Sequence, residues 1–178
     1  MRWMWRLCFC VLVAVSLPAQ AQDTIIDEYK LKAAFVFNFT RYVDWPATRF
    51  ENASSPIVIG VLQPNPFGSE LENLVKGRQT NRRPIVVRQF ATIAAARSAH
   101  VLFVGSDAEE SMVGLPKELA AYNVLTVGES ESFLKDGGII IFSFEGNSLR
   151  FEIDQRSAEQ ARLQISAQLY KLAKSVRK

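Results

Sequence analysis

Cysteine and histidine are scarce in this chain: its 178 residues hold two cysteines and one histidine. Both cysteines, Cys8 and Cys10, fall in an N-terminal stretch that reads as an export signal. Met1-Arg2-Trp3-Met4-Trp5-Arg6 supplies a cationic start. Leu7 to Leu17 is an apolar run broken only by Ser16, and Pro18-Ala19-Gln20-Ala21 offers a small-residue cleavage site. The run is shorter than the ~20 residues a helix needs to span a bilayer, and no cysteine stands at the cleavage point to carry a lipid. Cleavage after Ala21 leaves residues 22–178 with no thiol, which excludes cysteine nucleophiles, thiolate metal sites and disulfides from the exported domain. The expected location is the periplasm.

Other absences narrow the chemistry further. With one histidine, His100, metal ligation would fall to carboxylates, and Asp107, Glu109 and Glu110 form the sole acidic cluster. No G-x-S-x-G, P-loop or G-x-G-x-x-G pattern occurs. Losing Arg2 and Arg6 lowers the formal charge of +3 by two, too little to draw nucleic acid or a membrane surface. The expectation is a protein that is not an enzyme and carries no cofactor or metal. A carboxylate-dependent hydrolase built on Asp107, Glu109 or Glu110 is the catalytic alternative, but Asp107 as a helix cap explains the same residues.

What is present is aromatic and regularly patterned. Ile25 to Val43 reads as a helix with Phe35, Phe39 and Tyr42 on one stripe, ended by Trp45-Pro46. Strands are expected at Ile57–Leu62, Pro84–Phe90, Val101–Val104 and Val124–Val127, the first an unbroken apolar run of the kind buried on both faces. Helices are expected at Ser69–Lys76, Thr92–Ala99, Asp107–Met112, Lys117–Ala121 and Ser130–Lys135. Ile139–Phe144 and Leu149–Asp154 form a hairpin whose second strand alternates, with Leu149, Phe151 and Ile153 inward and Arg150, Glu152 and Asp154 outward. A last helix is expected from a capping box at Ser157 and Gln160, with Ala158, Ala161, Ile165, Leu169, Leu172 and Val176 as its core stripe. Alternating strands and helices imply an α/β fold: a single three-layer domain over residues 22–178, with a mostly parallel twisted sheet of about six strands, a C-terminal hairpin and helices on both faces.

Two surfaces are candidates for binding. Loops after the parallel strands should meet at one sheet edge, where open α/β sheets hold ligands; Asn65, Phe67, Ser106 and Asp107 are placed in that crevice. The second is a partner-binding face made of Arg41, Arg150 and Glu152. His100, just ahead of an apolar strand, suits a structural role.

Several motifs in order carry a resemblance. Residues 29–39 (YKLKAAFVFNF) with Val43-Asp44-Trp45-Pro46, then Asn65-Pro66-Phe67-Gly68, residues 100–104 (HVLFV), residues 124–128 (VLTVG), Phe133-Leu134 before Gly137-Gly138, Arg150-Phe151-Glu152-Ile153 and Leu163-Gln164-Ile165-Ser166 resemble the YfiR family of periplasmic proteins. The resemblance implies a regulator that binds and represses the periplasmic sensory domain of an inner-membrane diguanylate cyclase. Cyclic di-GMP and biofilm formation would follow. It also implies an OmpA-like outer-membrane lipoprotein that sequesters the regulator. Disulfides of the family's best-described member have no counterpart after Ala21, so redox gating is not implied here. Self-association as a homodimer is compatible with the sequence, and nucleic acid is not an expected partner. The alternative reading is an extracytoplasmic sensor of an apolar or aromatic metabolite.

Overall fold

The computed structural model describes residues 20–109 and 114–178. The expected signal segment up to residue 19, with Glu110 and Met112, lies outside the described residues. Described helices are α1 (Gln20–Tyr42), α2 (Glu70–Val75), α3 (Ile93–Ala96), α4 (Ser106–Glu109), α5 (Leu115–Ala120), α6 (Glu131–Lys135), α7 (Gln155–Gln160) and α8 (Ala167–Leu172). Strands are β1 (Val43–Asp44), β2 (Ile57–Leu62), β3 (Gln79–Thr80), β4 (Arg83–Phe90), β5 (Val101–Phe103), β6 (Leu125–Gly128), β7 (Ile140–Glu145), β8 (Ser148–Asp154), β9 (Gln164–Ile165) and β10 (Ser175–Arg177).

Eight strands form one sheet in the order β10-β8-β7-β6-β5-β2-β4-β3, and β1 pairs with β9 separately. The centre is parallel: β4, β2, β5, β6 and β7 run together. β8 returns antiparallel to β7 as the expected hairpin. The sheet divides the core into two layers because successive side chains leave opposite faces. Ile59, Val61, Val101, Phe103, Leu125, Val127, Phe142 and Phe151 pack with Ala33, Val36 and Phe39 of α1, Leu71 of α2, Ala158 of α7 and Leu169 of α8. Val58, Leu62, Leu102 and Ile141 pack with Ala96 of α3, Ala108 of α4, Leu119 of α5 and Phe133 of α6 on the other face. Gly60 is the small residue this second layer needs: a Cβ there would lie 2.7 Å from the Phe90 ring.

The three-layer α/β architecture and the hairpin agree with the sequence, while the strand count is larger than the expected six. The last segment differs more. Instead of one helix from Ser157 to Val176 there are two short helices, α7 and α8, separated by β9 and followed by β10. Arg162 takes a left-handed φ of 54°, which no helix interior tolerates, and stops α7. The helix begins earlier than expected, because Asp154 rather than Ser157 is the cap, its carboxylate accepting from the Ser157 N–H at 2.7 Å. Of the expected stripe, Ala158, Ala161 and Leu169 are buried, but Leu172 is 54% exposed.

Candidate functional site

Among the cavities of the described residues, two hold residues singled out in the sequence. The first lies where the chain reverses its direction of sheet growth, between β2 and β5. Loops leaving these strands meet there, and Pro64, Asn65, Gly105, Ser106 and Asp107 line a small crevice of about 90 Å³ beside Tyr29. Asn65, Ser106 and Asp107 thus come together as the sequence suggested. Phe67 does not join them: it is 2% exposed and packs edge-on against Phe103 at 4.7 Å and Tyr29 at 5.6 Å. Asn65 closes its own loop, accepting from the Phe67 N–H at 3.0 Å and donating to the Gly68 carbonyl at 2.9 Å.

Behind this crevice sits a buried charge cluster that the sequence reading missed. The Lys32 ammonium, on the sheet-facing side of α1, is bound by the carboxylates of Glu28 and Glu129, and Lys32 is 4% exposed. Glu129 follows β6 and also accepts from the Ser106 N–H at 2.7 Å and the Tyr29 hydroxyl at 3.4 Å. Glu109 of α4 accepts from the Glu129 N–H and the Ser130 hydroxyl. Gly128 makes room for this, since a Cβ would stand 2.6 Å from Glu109 Oε1. Burial, then the nearby Glu129 and Glu28 carboxylates, hold the Tyr29 hydroxyl well above its ordinary range. Glu129 and Glu109 are each engaged by donors from other elements, while Glu28 holds Lys32 within α1, which together is the work of a fastening. Glu28 four residues before Lys32 was the legible signal, an i,i+4 pair inside an apolar helix.

The second place is a groove of about 320 Å³ between α1, β8 and α8, lined by Phe35, Asn38, Phe39, Tyr42, Leu149, Arg150, Phe151, Leu169 and Leu172. It is apolar apart from Asn38, Arg150 and the Tyr42 hydroxyl. The sequence-chosen binding residues distribute unevenly around it. Arg150 lines it, Arg41 is exposed in the last turn of α1, and Glu152 is held by the Ser175 hydroxyl at 2.7 Å and Arg177 at 3.7 Å. Leu172 was expected in the core and instead forms the exposed wall.

His100 is structural. Its Nδ1 accepts from the Val58 N–H at 3.1 Å, and its ring stacks on Phe50 at 4.8 Å. The Nε2 is buried without a hydrogen-bond partner. Desolvation, reinforced by the Arg49 guanidinium, lowers its pKa to about 4. Among the described residues no group of three or more His, Cys, Asp or Glu is placed to hold a metal ion. Among them, too, no helix is long and apolar enough to cross a membrane.

Fold and site together define an α/β domain whose polar cluster fastens the scaffold and whose open apolar surface lies apart from it. The chain belongs to the YfiR/HmsC-like family, whose model matches residues 29–174. That family is periplasmic and regulatory rather than catalytic. A crystallised conserved domain protein from Vibrio cholerae O1 biovar eltor is 13% identical and superposes with a TM-score of 0.55. The match covers 84% of this chain and 60% of that one, and it concerns the fold alone. An ABC domain in complex with L-Trp from Streptococcus pneumonia, 9% identical with a TM-score of 0.45 over 67% of this chain and 54% of that one, is too distant to carry an argument. No curated protein matches the chain.

Proposed function

We propose that this protein is a periplasmic repressor that binds the periplasmic sensory domain of an inner-membrane diguanylate cyclase. Through that contact it controls cyclic di-GMP and biofilm formation. The observation that carries the reading is the family match across residues 29–174. The groove beside Arg150 and Leu172 supports it, because an exposed apolar surface with a charged rim is where partners dock. Binding would work by preference: the protein shifts the cyclase toward the conformation it holds more tightly, by that difference in affinity and no more. An outer-membrane lipoprotein of OmpA type would relieve repression by competing for the repressor.

The test is genetic and biochemical. Removing the gene should raise cyclic di-GMP and biofilm mass, and the purified protein should retain the cyclase's periplasmic domain. Unchanged cyclic di-GMP together with no retained cyclase would sink the reading. A small apolar or aromatic ligand is the second reading, and the groove, rather than the 90 Å³ crevice, has the size for it. Such a ligand would raise the melting temperature of the purified protein by mass action.

A further inference from the structure

The hairpin β7–β8 runs past the body of the sheet. β6 pairs with β7 only at Ile140 and Ile141, and β10 pairs with β8 only at Glu152 to Asp154. Among the described residues, no strand lies beside the outer edge of β8 from Ser148 to Arg150. Which backbone groups point outward there is fixed by the turn. Glu145 and Ser148 flank the two-residue connection Gly146-Asn147 and form its closing pair, so Phe144–Leu149 and Phe142–Phe151 are the pairs whose amides and carbonyls face away from each other. The Lys174 N–H donates to the Phe151 carbonyl at 2.8 Å, which confirms the outward direction for odd residues of β8. The N–H and C=O of Leu149 therefore face the uncovered edge.

That edge opens directly onto the apolar groove, whose wall is Leu172. Its surroundings are basic. Arg150 and Lys174 share a single carboxylate, Glu145, at 3.4 Å and 4.0 Å, and Lys171 is exposed one residue before Leu172. An unpaired strand edge is an adhesive surface; here apolar and cationic side chains flank it.

We infer that β8 accepts an added strand: an extended segment of the partner protein pairs with the Ser148–Arg150 edge, sets alternate apolar side chains into the groove and places acidic side chains against Arg150, Lys171 and Lys174. Main-chain hydrogen bonds supply affinity and the groove supplies selection, the general logic of strand addition. This inference rests on the proposed partner-binding role and names the surface and the kind of segment it takes.

The test uses the full exported chain and fluorescent ten-residue peptides. An alternating Ile/Asp peptide should bind, while a peptide of Leu and Glu spaced for an amphipathic helix should not. N-methylation of alternate amides on one edge of the Ile/Asp peptide should abolish binding, and methylation of the opposite edge should be tolerated. Leu172→Glu and Arg150→Glu should each weaken the peptide about tenfold or more, whereas Arg88→Glu, exposed on distant β4, should leave it unchanged. Tighter binding of the helical peptide, equal loss from methylating either edge, or binding only to phosphatidylglycerol vesicles would overturn strand addition. So would failure of every peptide to bind a protein that still represses the cyclase in cells, and that outcome leaves the repressor reading standing.

Discussion

The two ends of the parallel strands are held by opposite chemistries. At the carboxyl ends of β5 and β6, Lys32 is clamped between Glu28 and Glu129, and Glu109 is tied to the Glu129 N–H. At the amino ends, the ring of His100 binds the Val58 N–H, its carbonyl accepts from Trp45 Nε1 at 3.1 Å, and Arg49 donates to the Ala99 carbonyl at 2.6 Å. One end is a network of opposite charges, and the other is a neutral ring among backbone groups, aromatics and the Arg49 guanidinium. A charge network fails when a member is removed, because the remaining charges stay buried. A neutral ring fails when it gains a proton. The same sheet thus carries one end vulnerable to mutation and one vulnerable to acid.

The largest effect should come from the charged end. Lys32→Met leaves Glu129 buried without its cation and is expected to cost about 3–5 kcal/mol in a denaturation experiment. Adding Glu129→Gln should return part of that loss, since an amide needs no counter-ion. A single variant as stable as the native protein would show that the cluster is ornamental. The second effect belongs to the histidine end. An unfolded chain takes up a proton at its only histidine near pH 6.5, whereas the folded ring resists until about 4. Stability is therefore complete above pH 6.5 and declines as pH falls towards 4. That span corresponds to about 3 kcal/mol in total. His100→Asn, whose amide oxygen can still accept from Val58, should flatten this part of the pH profile relative to the native protein. Identical slopes between pH 6.5 and 4 would assign the acid sensitivity elsewhere.

These two ends also differ in how well the sequence announced them. β2, β5 and β6 were legible as apolar runs, and the hairpin as alternation around Gly146-Asn147, because burial and turn geometry write directly into residue order. The meeting of the Asn65 and Ser106 loops followed from parallel topology. Lys32 and Glu129 were not legible together, being ninety-seven positions apart and joined only once α1 lies across the sheet. The C-terminal segment misled for another reason. Ala158, Ala161 and Leu169 keep helical spacing, yet Arg162 turns left-handed between them and the β1–β9 pair, Val43 with Ile165, captures the chain. A strand of two or three residues has no periodicity to read, so β1, β3, β9 and β10 were invisible.

The same C-terminal segment gives a smaller test of what holds it. Asp154 ends β8 and caps α7, so Asp154→Ala should cost about 1 kcal/mol, with Asp154→Ser recovering most of it. Ser157→Ala should change little through capping, because the Ser157 backbone N–H, not its hydroxyl, makes that bond. A reversed order of the two losses would restore the cap to Ser157.

Leu172→Ser should have the smallest effect on stability, within about 0.5 kcal/mol, because its side chain already meets solvent and contributes little buried area to lose. The contrast with Leu169 is built into one helix: three residues away and 2% exposed, Leu169→Ala should cost about 2–5 kcal/mol by opening a cavity under α1. If Leu172 is a docking wall, its serine variant should fold as the native protein does and yet lose repression in cells. A destabilised Leu172→Ser protein would mean that the groove closes in solution and Leu172 is core after all, and the surface beside β8 would then be closed to any partner.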